Sequence, residues 1–245
     1  MSYPKSTARV APACQLVVVQ DHLQCCPYLP HQTARMPLQL PVESATGATT
    51  DWLLAAGYRR SGHFVYTTRC PMCTQCRPTR VDPKKFIWRS SFRRVFNRGE
   101  RELETRWQRP VVDQSRVDLF NLHRRLRNLT QEEQVVDHQS YAAFLVDSCC
   151  ETMELSMWAG DRLIGVSIVD FGAESLSAVY TFFDPESSRY SPGTYAILKQ
   201  IDWAVRNDYQ WVYLGMYVED NSHLNYKARF APQQRRLAGN WTWCE

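Results

Sequence analysis

The amino-acid sequence predicts a mixed α+β fold. Three β-like stretches follow one another at 152–158, 162–170 and 175–183, and the short turns between them suit an antiparallel meander. A stretch with helical periodicity at 194–207 and a short apolar strand at 211–216 come next. This order of three strands, a helix and a strand is typical of a domain in which helices pack on one mixed sheet.

Composition limits the class of protein. The chain has 245 residues, 44% of them apolar and 22% charged, as in a globular protein with a substantial core. No apolar run is long enough to span a membrane, and the short apolar patch at 14–19 lacks the features of a signal peptide. Nine cysteines, some closely spaced, favour free thiols or metal ligands in the cytoplasm over a disulfide framework.

The N-terminal third is predicted to be short elements and loops. A loose polar terminus precedes a short strand at 16–19, and the proline-rich stretch 25–41 is predicted to be an ordered loop. A short helix at 51–57 and a β-like stretch at 63–67 follow.

The middle of the chain is predicted to be helical and is strongly basic. Amphipathic stretches at 90–97, 116–129 and 141–149 predict three helices. Between Arg77 and Arg127 there are fifteen Arg or Lys against six Asp or Glu, in a protein whose net charge is only +4. Such a segment predicts a polyanionic partner, with a solvated helix face as the alternative.

Three cysteines at two-residue intervals, Cys70, Cys73 and Cys76, have the spacing of a metal knuckle. A structural zinc site needs four ligands, so a fourth must come from elsewhere in the chain. The candidates for it are Cys25, Cys26 and His31. An iron–sulfur cluster is a second possibility, and a metal-free group of buried thiols is the third.

The stretch Ser191-Pro-Gly-Thr-Tyr195 begins a predicted helix and could bind an anion through free backbone N–H groups. An ordinary helix entry is the alternative. The sequence has neither a phosphate-loop lysine motif nor a Rossmann glycine pattern, so nucleotide hydrolysis and dinucleotide redox chemistry have no support.

Several stretches, in the same order along nearly the whole chain, resemble the aminoacyl-tRNA–protein transferases. They resemble in particular the bacterial aspartate/glutamate leucyltransferases, which are similar to the eukaryotic arginyl-tRNA–protein transferases. The matching stretches are Cys26-Pro-Tyr-Leu-Pro30, Ala34-Arg35, Leu53-Leu-Ala-Ala-Gly-Tyr-Arg-Arg-Ser-Gly62, Cys70-Pro-Met-Cys-Thr-Gln-Cys76, Arg80-Val81, 90–98, Leu163-Ile-Gly-Val-Ser167, Ser177-Ala-Val-Tyr-Thr-Phe-Phe-Asp-Pro185, Pro192-Gly-Thr-Tyr-Ala-Ile-Leu198, Tyr213-Leu-Gly215 and Asn225-Tyr-Lys-Ala-Arg-Phe230. Departures from the family pattern at Pro192 and in the loop 215–225 concern which amino acid is transferred.

The resemblance implies a GNAT-type acyltransferase domain at 83–245, preceded by a small cysteine-bearing recognition module at 1–82. It implies transfer of leucine from Leu-tRNA to the N-terminal amine of proteins that begin with Asp or Glu, which creates a degradation signal (an N-degron). Arginyl transfer by the same mechanism and a catalytically inactive tRNA-binding module are the alternatives. The chemistry requires no cofactor, and neither a membrane nor DNA is an expected partner.

Within this family, residue roles can be assigned as hypotheses. Asp184 would orient or deprotonate the acceptor amine, or would only cap the following turn. Tyr226 and Lys227 would contact the 3′ adenosine of the tRNA or its phosphates. Arg80, helped by Arg77, would bind the acidic side chain of the acceptor, because a guanidinium binds a carboxylate with two parallel hydrogen bonds.

The remaining assignments concern the walls of the site. The residues expected to shape the acceptor pocket are Tyr28, Tyr58, Arg59 and Arg60, with Tyr58 alternatively a core residue. The helix start, with Gly193, Thr194 and Tyr195, would face the reaction oxyanion or the end of the tRNA. The basic tract 84–127 would bind the tRNA backbone through phosphate contacts. The proposed metal ligands are Cys70, Cys73, Cys76 and Cys26.

Overall fold

In a computed structural model, residues 14–129 and 135–244 are described. Five α-helices lie in these residues: α1 (Gly47–Ala55), α2 (Ser90–Glu102), α3 (Gln114–Leu126), α4 (His138–Tyr141) and α5 (Pro192–Arg206). The strands are β1 (Leu16–Gln20), β2 (Leu23–Cys25), β3 (Thr33–Arg35), β4 (Leu38–Pro41), β5 (Arg59–Ser61), β6 (Phe64–Tyr66), β7 (Arg77–Val81), β8 (Glu104–Gln108), β9 (Thr152–Ala159), β10 (Arg162–Phe171), β11 (Ser175–Phe183), β12 (Trp211–Tyr217), β13 (Gln233–Leu237) and β14 (Asn240–Cys244). The mixed α+β class predicted from the sequence is confirmed. None of the helices in the described residues is both long and apolar enough to cross a membrane.

An eight-stranded sheet forms the centre of the molecule, with the strand order β14-β13-β7-β12-β11-β10-β9-β8. The predicted meander is confirmed, because β9, β10 and β11 pair with one another in antiparallel fashion. Strands β11 and β12 are parallel, and α5 connects them. A parallel pair of this kind requires a crossover connection, which explains the helix between two strands that are neighbours in the sheet.

The sheet is covered on both faces. Strand β10 is buried at every residue from Ile164 to Phe171, although successive side chains point to opposite faces. Helix α5 contributes Ile197, Leu198 and Ile201 to one apolar cluster. Helix α3 contributes Val117, Leu119 and Phe120 to another, which includes Val166 and Phe182 of the sheet. Burial of these apolar side chains is the main favourable contribution to folding.

The N-terminal residues form a smaller sheet of four strands, in the order β1-β4-β6-β5, together with α1 and the β2–β3 hairpin. Buried polar contacts join this part to the large sheet. Asp51 of α1 accepts hydrogen bonds from Ser175 and the Glu174 amide, and Arg60 forms an ion pair with Asp170. Strand β7 lies before the predicted boundary at residue 82, yet it pairs with β12 and β13 of the large sheet. The division at 82/83 therefore stays a prediction.

The structure also differs from the expected elements. The stretch 25–41, expected to be a loop, contains β3 and β4, and the C-terminal β13–β14 hairpin was not expected. Helix α1 begins at Gly47, where Thr46 caps it, so the helix starts four residues before the predicted Asp51. Val205 and Leu126 fit the apolar periodicity of their helices, but they are 44% and 48% exposed because both lie in the last helical turn.

Candidate active site

The two parallel strands separate partway along their length and leave a cleft. Strands β11 and β12 pair only where Ser175–Ser177 meets Trp211–Tyr213. Beyond that point the strands continue to Phe183 and Tyr217 without pairing to each other. A cleft of about 850 Å³ borders the unpaired parts of both strands, from Ala178 to Thr181 on β11 and from Leu214 to Met216 on β12.

Polar and titratable side chains from four parts of the chain line this cleft. They come from the N-terminal part, from α3, from the start of α5 and from the loop after β12. The residues used below are Tyr28, Arg59, Tyr66, His123, Arg127, Gly193, Thr194, His223, Tyr226 and Lys227.

Arg59 is a buried cation in the wall of the cleft, with 8% of its surface exposed. Its Nη1 donates to Ser177 Oγ at 2.9 Å, and its Nη2 donates to the Ala178 carbonyl at 2.8 Å. Both partners are neutral, and none of the ion pairs among the described residues involves Arg59. Burial lowers the pKa of the Arg59 guanidinium, which still remains cationic at neutral pH. A desolvated cation without a counter-ion is suited to bind an anionic group.

Gly215 of β12 makes room for this guanidinium. A Cβ at position 215 would lie 3.2 Å from Arg59 Nη2, which is closer than side-chain contacts normally allow. Gly215 also has a φ of +89°, a conformation that favours glycine, at the point where the pairing of β12 with β7 shifts register.

Arg60, the next residue, has a structural role. Its Nε lies 2.8 Å from Asp170 Oδ2, and the two side chains are only 3% and 4% exposed. Its Nη1 donates to the carbonyls of Gly62 and Asp147. Its charge is therefore neutralised by the fold, although it borders the cleft.

Lys227 and Tyr226 both line the cleft. Lys227 is 6% exposed, and its Nζ donates to the Met216 carbonyl at 2.6 Å. Burial, together with the positive charge of Arg59, lowers the pKa of Lys227 to about 7. Burial raises the pKa of the Tyr226 phenol, which remains neutral and can donate a hydrogen bond.

His123 is a cleft residue that the sequence analysis did not identify. It is 4% exposed, and its Nδ1 lies 2.9 Å from the Phe183 carbonyl and 3.2 Å from the Phe183 amide nitrogen. Burial lowers the pKa of His123, and the nearby Arg127 and His223 lower it further, so the ring is neutral at pH 7. In the tautomer whose Nδ1–H donates to the Phe183 carbonyl, Nε2 is an acceptor without a hydrogen-bond partner among the described residues, and it can take up a proton. The signal in the sequence was the spacing of Val117, Phe120 and His123, which puts the histidine on the inner face of α3.

Asp184 lies outside the cleft lining. It caps the 3₁₀ turn Pro185–Tyr190: its carboxylate accepts from the Glu186 amide at 2.9 Å and from Ser187 Oγ at 3.3 Å. Arg162 approaches it to 3.1 Å. This geometry fits the capping alternative, and the catalytic role predicted for Asp184 finds no support in it.

Arg80 is also outside the cleft lining. Its guanidinium lies between the rings of Trp211 and Trp241, 3.7 and 4.2 Å from their centroids. Its Nε donates to Gln234 Oε1 at 2.8 Å, and its Nη1 donates to Tyr213 Oη at 3.0 Å. The structure therefore does not bring Arg80 and Asp184 together in one groove.

Three further residues that were predicted for the site do not line the cleft. Arg77 lies 3.8 Å from Glu219 in an exposed ion pair. Tyr58 stacks on Trp52 and belongs to the core of the N-terminal part, as its alternative assignment proposed. Tyr195 is fully buried and donates to Glu100, whereas its neighbours Gly193 and Thr194 do line the cleft, as does Tyr28.

The four cysteines of the predicted metal site lie near one another. Burial raises the pKa of Cys76 to about 12, and the neighbouring thiols Cys26, Cys70 and Cys73 add to this effect. The amides of Tyr28 and Leu29 donate to Cys26 Sγ at 3.4 Å. Within residues 14–129 and 135–244, however, no three His, Cys, Asp or Glu side chains are arranged to hold a metal ion. The metal site therefore stays a prediction, and no step of the chemistry below depends on it.

A cleft that opens between two separating strands, with a buried cation and titratable groups in its walls, is suited to a group-transfer enzyme. Comparisons with known proteins give the class of transfer. The model "Arginine-tRNA-protein transferase, N terminus" matches residues 24–94, and the model "Arginine-tRNA-protein transferase, C terminus" matches residues 115–237. The chain therefore belongs to the arginine-tRNA–protein transferase family, whose members are aminoacyltransferases that use charged tRNA and a protein as substrates.

Two bacterial relatives of this chain carry the same name. The chain is 34% identical over 216 residues to the "Aspartate/glutamate leucyltransferase" of Acinetobacter baumannii (strain AYE). The matched region covers 88% of this chain and 80% of that protein. It is 32% identical over 219 residues to the protein of the same name from Aeromonas hydrophila, with 88% and 90% covered. Among solved structures, that of FemX covers 85% of this chain and 80% of its own, with a TM-score of 0.48 and 7% identity.

Proposed function

We propose that the protein transfers leucine from Leu-tRNA to the N-terminal amine of proteins that begin with Asp or Glu, and so creates a degradation signal in the cytoplasm. The names of the relatives support the choice of both substrates. The structural observation that carries the proposal is Arg59, a buried cation that lines the cleft and has only neutral partners among the described residues.

The reaction needs positioning more than activation. The leucyl group is attached to the tRNA as an ester, which is already reactive, and the acceptor amine has a reference pKa of about 7.7–8.0. The neutral amine attacks the ester carbonyl, and a tetrahedral intermediate with an oxyanion forms. The intermediate collapses to an amide as the ribose oxygen leaves and takes up a proton. Holding amine and ester in contact can supply much of the rate.

Arg59 binds the side-chain carboxylate of the acceptor. Two of its five N–H groups are used by Ser177 and Ala178, and the others have no partner among the described residues. A carboxylate in the cleft would give this guanidinium the counter-ion that it lacks. Tyr28 and Tyr66 line the same cleft and would limit the size of the acceptor side chain. In this proposal Arg59 replaces Arg80 as the acceptor-binding residue.

His123 transfers the proton. The Phe183 backbone fixes one side of its ring, the ring is neutral at pH 7, and it lines the cleft. Nε2 would take a proton from the attacking amine and return it to the leaving ribose oxygen, which is ordinary general acid–base catalysis.

The tRNA end would lie against the loop after β12 and the start of α5. Tyr226 and Lys227 would contact the terminal adenosine or its phosphates, and the backbone N–H groups at Gly193 and Thr194 would stabilise the oxyanion. The body of the tRNA would contact the basic tract 84–127. The exposed side chains of Arg89, which precedes α2, and of Arg93 and Arg94 on α2 belong to this surface.

The topology supports a GNAT-type fold for the second part of the chain. The antiparallel meander is followed by the α5 crossover to a parallel strand, and the parallel pair separates around the cleft. The organised cleft favours an enzyme over a tRNA-binding module that has lost catalysis. Zinc or an iron–sulfur cluster at the four cysteines would be structural, since transfer from the ester needs no cofactor.

The test uses purified protein, total tRNA charged with one labelled amino acid at a time, and peptides that begin with Asp, Glu or Ala. We expect label to pass from Leu-tRNA to the Asp and Glu peptides and not to the Ala peptide. Transfer from Arg-tRNA instead would reassign the acyl group. Binding of tRNA without any transfer would establish the inactive tRNA-binding module.

A further inference from the structure

Strand β1 is an exposed edge strand with apolar side chains on both faces. It lies at one end of the sheet order β1-β4-β6-β5 in the described residues. Its three consecutive valines, Val17, Val18 and Val19, are 47%, 54% and 49% exposed. Successive side chains of a strand point to opposite faces, so β1 exposes apolar side chains on both faces, although Leu16 packs against the core of the N-terminal part. An edge of this kind readily pairs with another extended chain.

The backbone of β1 has hydrogen-bonding groups directed outward. The Gln15 carbonyl accepts a hydrogen bond from the Val42 amide at 3.0 Å, and Leu16 is opposite Pro41, which has no N–H. In an antiparallel ladder, successive residues direct their N–H and C=O groups alternately toward and away from the partner strand. Leu16 and Val18 therefore direct these groups away from β4.

The edge leads directly out of the cleft. Gln20, the last residue of β1, lines the cleft together with its partner Leu38 and with Gln24. A polypeptide that places its first residue against Arg59 must leave the cleft, and β1 extends from the part of the cleft that Gln20 lines. Running outward, that polypeptide would be antiparallel to β1.

We propose that β1 binds the acceptor polypeptide by strand addition, so that the residues after the N-terminal Asp or Glu pair with the edge of β1. This proposal rests on the proposed function. Five strand residues at about 3.4 Å each cover about 17 Å, enough for several acceptor residues. Main-chain hydrogen bonds do not depend on the acceptor sequence, which suits an enzyme whose substrates share only their first residue.

The first experiment compares a dipeptide and an eight-residue peptide, both beginning with Asp and both labelled from Leu-tRNA. We expect kcat/KM to be about tenfold higher for the longer peptide, the effect of one or two net hydrogen bonds. V18P removes an outward N–H without affecting the ladder to β4, and it should abolish this advantage while the dipeptide rate is unchanged. V18T, which keeps the N–H and the shape, is the matched control and should retain the advantage.

The outcomes separate the two proposals. If neither peptide is leucylated, the proposed function fails. If both react equally well, the function stands and strand addition is overturned. N-methylation of the longer peptide, one amide at a time, should reduce kcat/KM at every second residue, and equal tolerance at all positions would contradict the pairing. An advantage that appears only after residues 1–13 are removed would assign the edge to the chain itself and also overturn the proposal.

Discussion

Two partly or fully buried arginines, Arg59 and Arg80, lie on either side of β12, and their surroundings differ. Arg80 belongs to β7 on one side, whereas Arg59 binds β11 on the other. Burial lowers the pKa of both guanidiniums. Two indole rings cover Arg80, while the Arg59 side chain borders an open cleft. In the proposed function, this difference in surroundings, and not the charge, makes Arg59 the residue that binds the acceptor.

Loss of Arg59 gives the largest expected effect. Arg59→Ala should reduce kcat/KM for Asp-starting peptides about a thousandfold, since a buried charge contact contributes about 2–5 kcal/mol. Initial rates of leucine transfer measure this, with the affinity for Leu-tRNA as the control. Arg59→Lys keeps the charge and should recover only part of the activity, because an ammonium cannot bind a carboxylate in the bidentate geometry. Wild-type use of acidic peptides by either variant would remove Arg59 from the site.

Replacement of His123 should affect turnover. His123→Gln keeps a polar side chain beside Phe183 and should lower kcat about a hundredfold, the usual size of a general-base contribution. Equilibrium binding of Leu-tRNA should be unchanged. A fall in tRNA affinity with normal turnover would instead assign His123 to substrate binding.

Lys227 should make stability depend on pH. Its pKa falls from an ordinary value of 10.5 to about 7 on folding, so the unfolded chain binds more protons than the folded one between these values. Stability therefore increases with pH across this window, and the gain is lost as the pH falls through 7. Relative to Lys227→Met, the wild type should gain about 2 kcal/mol between pH 7 and pH 9. Urea unfolding at pH 7, 8 and 9 measures it, and parallel curves for the two proteins would contradict the shifted pKa.

The smallest effect is expected at Arg80. Arg80→Met removes its contacts with two tryptophans and should cost about 1–2 kcal/mol of stability. Thermal unfolding would show this loss, while kcat/KM for acidic peptides should stay within about twofold of the wild type. A selective loss of activity toward Asp and Glu peptides would reverse the comparison and return the acceptor role to Arg80.

Local patterns predict the elements of this fold better than they predict its site. The meander and α5 could be predicted because strand alternation and helical spacing are encoded in neighbouring residues. The choice between Arg59 and Arg80 depends on contacts across the chain, such as that of Arg59 with Ser177, 118 residues away. Asp184 follows a buried strand in a pattern that suits both a group that orients or deprotonates the amine and a turn cap, and the hydrogen bond from the Glu186 amide fits the cap. The apolar periodicity of α3 does not reveal His123, because a polar residue on the inner face of a helix is not part of that pattern.

The missing side chain at Gly215 has a consequence for how this family could diversify. A single added methyl group there would push against the Arg59 guanidinium and force the strand out of a conformation that other residues rarely adopt. In the proposed function, a side chain in this space would therefore displace the acceptor-binding cation with no change to any charged residue.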